Sequence, residues 1–307
     1  MLYLHVDSGL DSWRKAFHQQ QPDLQVVVAG DDFDPAAVRW VAAWNPPEAL
    51  FAGFPNLEGI FALGAGVDAF VRRDDLPADI PLIRLLDAGM AQQMVEYILW
   101  ALLTVQRDFD VYARQQQQGI WQEQMARSMG EMRLGILGLG ALGQKVAQQL
   151  AGLGYKVAGW KRSPLILEGV QVLTGDQGFD DLLKQSDVLI SLLPNTTQTR
   201  GVLNRSTLGR LPQGAVLVNV ARGVQVVDED LLQLLDEGHL RLAVLDVFHQ
   251  EPLVQGHPFW RHPRVVMTPH MAAATLPEPA VEQVLGNLQR LASGQEPLGL
   301  VRADSGY

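Results

Sequence analysis

Thirty residues, Arg133 to Arg162, constrain this chain more than any others. They read RLGILGLGALGQKVAQQLAGLGYKVAGWKR. The apolar run Leu134–Leu137 has the length of one buried strand. Gly138, Gly140 and Gly143 follow with the spacing G-x-G-x-x-G. Leu142, Val146, Leu150 and Leu153 then recur at helical steps on one face. A second strand is expected over Tyr155–Trp160. Strand, turn, helix and strand in this span make a βαβ unit.

The glycines have separate reasons to be there. Gly138 allows a tight turn off the strand, Gly140 leaves room for a pyrophosphate against the backbone, and Gly143 lets helix and strand pack closely. The free N–H groups and positive dipole end of the helix then face the phosphates. The turn Gly138, Leu139, Gly140, Ala141, Leu142 and Gly143 is therefore expected to bind a dinucleotide. An ordinary glycine-rich turn is the alternative, but the strand before it and the amphipathic helix after it favour the cofactor.

An NAD site usually places an acidic residue after the second strand, to accept bonds from the adenosine ribose. Here the strand runs out into Trp160, Lys161, Arg162 and Ser163, with no carboxylate. Two cations and a hydroxyl suit a 2′-phosphate. NADP(H) is expected in preference to NAD(H), against the plainer reading of a solvated basic turn.

The 307 residues are enough for two domains with real cores. With Lys+Arg 24 against Asp+Glu 34, the net charge is −10, so no general field gathers nucleic acid or anionic lipid. The absence of cysteine excludes disulfides, thiolate catalysis and cysteine-ligated zinc. The chain opens as a strand without the basic and apolar regions of a signal peptide, and Tyr97–Val105 is too short to span a bilayer. A soluble cytoplasmic protein is the expectation.

Short strands are expected at 2–6, 25–29, 40–44, 60–63 and 82–85, and a helix over 11–20 capped by Asp11 or Ser12. This alternation implies a parallel sheet wrapped by helices. Gly64, Ala65 and Gly66 follow a strand and offer backbone N–H groups, a possible carboxylate nest. Trp44 stands at a strand end, as pocket wall or simply as core or rim. One long helix is expected from Met90 to about Gln118, bridging two domains; its apolar remainder could pair two copies or merely pack in a core. Continuous apolar runs at 188–192, 215–220, 242–247 and 265–268 read as buried parallel strands. A final helix from Glu278 needs the first domain as partner, so the chain is expected to leave that domain near 97 and re-enter it near 272.

Ligands of open parallel sheets lie beyond the carboxyl ends of the strands. After 215–220 comes Arg222, after 242–247 comes Glu251, and after 265–268 comes His270. Reduction of a 2-keto acid needs a cation for the carboxylate, which Arg222 supplies with a planar guanidinium. It needs a proton donor for the carbonyl oxygen, and His270 titrates near working pH. Glu251 behind the imidazole would favour its charged form. Singly, the three could be a surface ion pair, a loop carboxylate and a structural histidine; together at three strand ends they point to catalysis. The remaining histidines show no paired spacing, and no metal is expected.

On these residues the sequence resembles the D-isomer-specific 2-hydroxyacid dehydrogenase family. The matching motifs are GAGVD at 64–68, GLGALG at 138–143, PNTTQTRG at 194–201, NVARG at 219–223, LDVFHQEP at 245–252 and TPHMAA at 268–273. Within the family it is similar to the bacterial A-type glyoxylate/hydroxypyruvate reductases, through WNPP at 44–47, DAGM at 87–90 and WKRSP at 160–164. The resemblance implies two doubly wound α/β domains with a cleft between them. A flavodoxin-like substrate domain would hold 1–97 and 272–307, and a Rossmann cofactor domain 98–271. Arg222 would bind and polarise substrate, Glu251 support the histidine and His270 act as acid and base. Gly64, Ala65 and Gly66 would hold the carboxylate, and Trp44 would limit the pocket. Asp246 would meet the nicotinamide carboxamide, with Leu193, Pro194, Thr199, Ala221 and Ala272 around the cofactor. The implied activity is NADPH-dependent reduction of small 2-keto acids, glyoxylate and hydroxypyruvate first. A homodimer, the commonest assembly, is expected, with neither nucleic acid nor membrane as partner. The alternatives are a reductase of bulkier, phenylpyruvate-like acids and a non-catalytic, nucleotide-sensing corepressor-like protein.

Overall fold

The computed structural model describes residues 1–71 and 73–301. The chain divides into two compact units, one of Met1–Met90 with the chain from Thr275 onward, the other of Ala91–Ala274. The crossings expected near 97 and 272 compare with divisions at 90/91 and 274/275.

In the first unit, β1 (Leu2–His5), α1 (Leu10–Gln20), β2 (Val26–Val27), β3 (Trp40–Ala43), β4 (Gly59–Ala62), α2 (Asp68–Val71) and β5 (Leu82–Arg84) follow one another. All neighbouring strands are parallel, in the order β2-β1-β3-β4-β5, the flavodoxin-like arrangement. Strand period sends Tyr3, Val41, Ala43, Ile60 and Ala62 into one core with Phe51, Phe54 and Phe70. The closing helix, Pro277–Ala292, belongs to this unit and lies beside α1, where the Gln20 amide donates to the Glu278 carbonyl at 2.9 Å. Neither Asp11 nor Ser12 caps α1: Gly9 takes the N-cap in the left-handed region (φ 67°), and Asp11 sits in the first turn, where its charge suits the dipole.

Apart from Met90, which ends the opening stretch of the first unit, the second unit holds α3 (Met90–Gln106), α4 (Phe109–Gln118), β6 (Arg133–Leu137), α5 (Ala141–Gly152), β7 (Lys156–Trp160), β8 (Val170–Leu173) and α6 (Gly175–Gln185). It continues with β9 (Val188–Ser191), α7 (Arg205–Leu208), β10 (Ala215–Asn219), α8 (Asp228–Asp236), β11 (Leu240–Leu245) and β12 (Val265–Met267). Its seven strands are all parallel, in the order β12-β11-β10-β9-β6-β7-β8. The strand order reverses between β6 and β9, the switch point of a doubly wound sheet. Alternate residues serve opposite faces: Ile136, Ile190, Val218 and Val244 pack with α3 and α5, whereas Leu189, Leu217, Ala243 and Leu245 pack with α6 and α8.

The single helix expected over 90–118 is instead two. Asp108 takes a left-handed φ of 55° between α3 and α4, a conformation that Asp tolerates better than most residues. Its carboxylate lies 2.7 Å from the Arg241 guanidinium on β11, which also binds Asp110. Turning two buried carboxylates onto one arginine needs the break; apolar periodicity, which continues to Phe109, carries no sign of it. Strand β8 also escapes sequence reading, because its four residues are an edge with no buried run.

Candidate functional site

The turn after β6 is built from backbone packing. Gly138 has φ +100°, and a Cβ there would stand 2.7 Å from the Leu192 carbonyl oxygen after β9. A Cβ on Gly143 would strike the Gly138 carbonyl. At Gly140, the N-cap of α5, nothing lies within 4 Å of the Cβ position and no side chain caps the helix. Two glycines are thus required by close approach, and the third faces open space at a bare helix N-terminus. This cradle fits a pyrophosphate.

Beyond β7, Trp160 donates its indole N–H to the Gly175 carbonyl at 2.9 Å and packs edge-on against Phe179. Lys161 is half-buried, while Arg162 and Ser163 are exposed. Arg162 donates to the Gln198 side chain at 3.3 Å, across from the loop after β9. In that loop the Thr199 hydroxyl donates to the Pro194 carbonyl at 2.6 Å, and the Gln225 amide donates to the Leu193 carbonyl at 2.8 Å. Gln225 is fully buried and also accepts from Ser191. Thr199 therefore shapes the loop.

The loops after β10, β11 and β12 leave the same edge of the sheet. His270 Nδ1 lies 2.6 Å from Glu251 Oε2, and Glu251 Oε1 accepts from the Phe248 N–H at 2.8 Å. The bond to Glu251 raises the His270 pKa above its ordinary 6.5; burial and the Arg222 charge oppose the shift without cancelling it. Burial works to raise Glu251, but the bonds from His270 and Phe248 and the Arg222 charge outweigh it and hold the carboxyl below its usual range. Arg222 is thus close enough for its charge to act on both partners. Its own loop is pinned by Asn219, fully buried, which accepts from the Ala221 N–H and donates to the Arg222 carbonyl, each at 3.1 Å.

In the first unit, Gly64, Ala65 and Gly66 follow β4. The Trp44 ring lies where a Gly64 side chain would be. Trp44 is 44% exposed, so it is a rim residue and not core. Its loop is tied down by Arg73, which donates to the Pro47 carbonyl at 2.6 Å and to Asp75 at 2.7 Å.

Residues 99–272 match the family model for the NAD binding domain of the D-isomer specific 2-hydroxyacid dehydrogenases. The chain belongs to that family. The glyoxylate/hydroxypyruvate reductase A of Serratia proteamaculans is 43% identical over 314 aligned positions, spanning 100% of this chain and 99% of the relative. A family member from Xanthobacter autotrophicus, solved in complex with NADPH and MES, superposes with a TM-score of 0.95 at 40% identity, covering 100% and 99% of the two chains. An NADPH-dependent glyoxylate/hydroxypyruvate reductase from Sinorhizobium meliloti, solved with NADP and sulfate, gives 0.92 at 31% identity, covering 100% and 99%.

The bonds around Asp246 are visible only in three dimensions. Asp246, 1% exposed, accepts from the Thr268 hydroxyl at 2.6 Å, the Met271 N–H at 2.9 Å and the Ala272 N–H at 2.8 Å. A carboxylate has about four lone-pair sites, so among the described residues one remains without a donor, on Oδ2. Thr268 is in turn bonded to Tyr97. Tyr97 is a member of the apolar stripe on α3 and gives no sequence signal for a role here. Three of the other histidines bond elsewhere: His249 to the Val226 carbonyl, His262 to Asp236 and His239 to the Leu208 carbonyl.

Proposed function

We propose that the protein reduces small 2-keto acids with NADPH, glyoxylate to glycolate and hydroxypyruvate to D-glycerate. The observation that carries this reading is the Glu251–His270 pair at 2.6 Å, with the Arg222 charge acting on both. The second unit is the cofactor domain and the first the substrate domain. The cradle of Gly138, Gly140 and Gly143 takes the pyrophosphate, Lys161, Arg162 and Ser163 take the 2′-phosphate, and the open site on Asp246 takes the carboxamide.

NADPH, when bound, supplies the hydride. Arg222 grips the substrate and draws electron density from its carbonyl. The backbone N–H groups of Gly64–Gly66 receive the carboxylate. Because Glu251 occupies Nδ1, Nε2 is the nitrogen of His270 that delivers a proton to the carbonyl oxygen. The raised His270 pKa lets the ring hold that proton to higher pH than an ordinary imidazole would. The names of the relatives, and the Trp44 ring over Gly64, favour small substrates over phenylpyruvate-like ones.

We also assign the active form to a homodimer. Trp100, Leu103, Phe109, Ile120 and Met125 are exposed along one stretch of chain, and Trp121 is bare, a concentration that a second copy would cover. No described helix is long and apolar enough to cross a membrane, and a cysteine-free acidic chain needs no oxidising compartment; we place the enzyme in the cytoplasm. A panel of glyoxylate, hydroxypyruvate and phenylpyruvate with NADPH and NADH, followed by cofactor absorbance, tests the reading. No turnover with any of them would end it.

A further inference from the structure

The loop that carries His270 is held from beneath by a chain of hydrogen bonds that begins on a distant helix. His270 has φ 53°, a left-handed conformation unusual for a residue with a side chain. Such a turn persists only where its surroundings hold it. The holding groups are identifiable. The His270 N–H donates to the Asp246 carbonyl at 2.8 Å and to the Thr268 carbonyl at 3.1 Å. The next two N–H groups, of Met271 and Ala272, donate to the two oxygens of the Asp246 carboxylate. Asp246 therefore grips three consecutive backbone N–H groups, 270 to 272, through its main chain and its side chain.

The donor order of the chain follows from the acceptors. An ionised Asp246 can only accept, so the Thr268 hydroxyl donates its one proton to Oδ1 at 2.6 Å. Thr268 Oγ1 is then an acceptor toward Tyr97, 2.5 Å away, and the phenol must donate. Burial, opposed by the Thr268 bond and helped to a lesser extent by the Asp246 charge, pushes Tyr97 up to about 12, so the phenol keeps its proton at any working pH. Tyr97 is 8% exposed and its ring is anchored by Trp100, with ring centroids 5.4 Å apart. The bonds run one way, from the α3 phenol through Thr268 to Asp246 and on to the turn.

We infer that Tyr97 and Thr268 are positioning residues, which act through Asp246 to hold the left-handed turn that presents His270 to Glu251. The inference rests on the proposed role of His270. Neither residue touches substrate; both set where the imidazole stands. Loss of the Thr268 hydroxyl leaves a lone pair of a buried carboxylate unsatisfied and the Tyr97 phenol without its acceptor, so the turn relaxes and Nδ1 parts from Glu251.

The test compares Thr268→Val, Thr268→Ser and Tyr97→Phe in the full-length protein. Loss of a hydrogen bond to a charged group should lower kcat about tenfold in Thr268→Val, with keto-acid KM within about twofold of the parent. Thr268→Ser keeps the hydroxyl and should restore kcat. Tyr97→Phe keeps the ring and should lower kcat about threefold. The second readout needs no turnover. In an NMR titration of the imidazole carbons, the His270 pKa should fall back toward its ordinary value in Thr268→Val and stay raised in Thr268→Ser. An unshifted His270 titration in both Thr268→Val and Tyr97→Phe overturns the inference, even if the parent proves inactive on keto acids. Parent inactivity with a shifted titration overturns the proposed reaction and leaves the hydrogen-bond chain standing.

Discussion

The turn after β6 and the turn after β12 hang from the same sheet, yet they are made in opposite ways. At Gly138–Gly143 the site is defined by side chains that are missing: two Cβ positions would collide with backbone and a third faces open space. At His270 it is defined by side chains that are present, with Glu251 on the ring and Asp246 and Thr268 beneath the backbone. The first turn is a cradle of backbone alone, from the turn itself and the chain just after β9. The second needs residues from α3, the loops after β10 and β11, and β12. A backbone cradle binds a constant group, the pyrophosphate, whereas assembled side chains can tune a proton donor. Each turn should fail in its own way when altered.

The largest effect belongs to the side-chain turn. His270→Gln should lower kcat by about a hundredfold to ten-thousandfold, the usual contribution of general acid catalysis, and leave NADPH affinity nearly unchanged. Kinetics paired with a fluorescence titration of NADPH separate the two quantities. A variant that keeps its rate would remove His270 from the reaction and with it the contrast between the turns.

The cradle should break in two distinguishable ways. Gly143→Ala forces the new methyl into the Gly138 carbonyl, so the fold itself should lose about 1–3 kcal/mol, read as a lower thermal midpoint. Gly140→Ala meets nothing in the protein. Its thermal midpoint should match the parent, while NADPH affinity drops about tenfold, as the methyl occupies the place of the pyrophosphate. Equal destabilisation by both would mean that Gly140 serves packing and not a ligand.

Arg162→Ala should come next. Loss of one charge-assisted contact should raise the Kd for NADPH about tenfold and leave NADH within about twofold. An equal effect on both cofactors would detach Arg162 from the 2′-phosphate. Its bond to Gln198 shows that the guanidinium is steered from the loop after β9, a partner that no local motif announces.

The same contrast explains what was legible beforehand. The G-x-G-x-x-G spacing could be read directly because close backbone approach forbids other residues at fixed positions. Strands β6, β9, β10 and β11 could be read because burial on both faces writes continuous apolar runs. Arg222, Glu251 and His270 could be read as strand-end residues, though their pairing could not. Tyr97 was invisible, because a phenol in an apolar stripe looks like core until its oxygen is located. The break at Asp108 was invisible for the same kind of reason: it answers to Arg241, more than a hundred residues away. Edge strand β8, half-buried on one side, writes no run at all.

The subtlest prediction concerns the pH profile of the side-chain turn. His270 must carry a proton to reduce a keto acid, and the bond to Glu251 raises its pKa above 6.5. In the parent, kcat/KM for reduction should therefore fall as pH rises through that raised value, later than an ordinary imidazole would allow. The imidazole's contribution to stability has the same sign: it is fully present below the ordinary imidazole value and lost as pH rises through the raised one, while that of Glu251 is lost as pH falls through its own lowered value. Glu251→Gln keeps the shape and a hydrogen-bond acceptor but removes the charge, and should move the falling limb to lower pH without moving NADPH affinity. The glycine cradle has no titrating side chain, so Gly140→Ala should scale the profile and leave its inflection alone. If Glu251→Gln scales the curve in the same way without shifting it, the carboxylate only orients the ring, and the proton donor is set by something other than this pair.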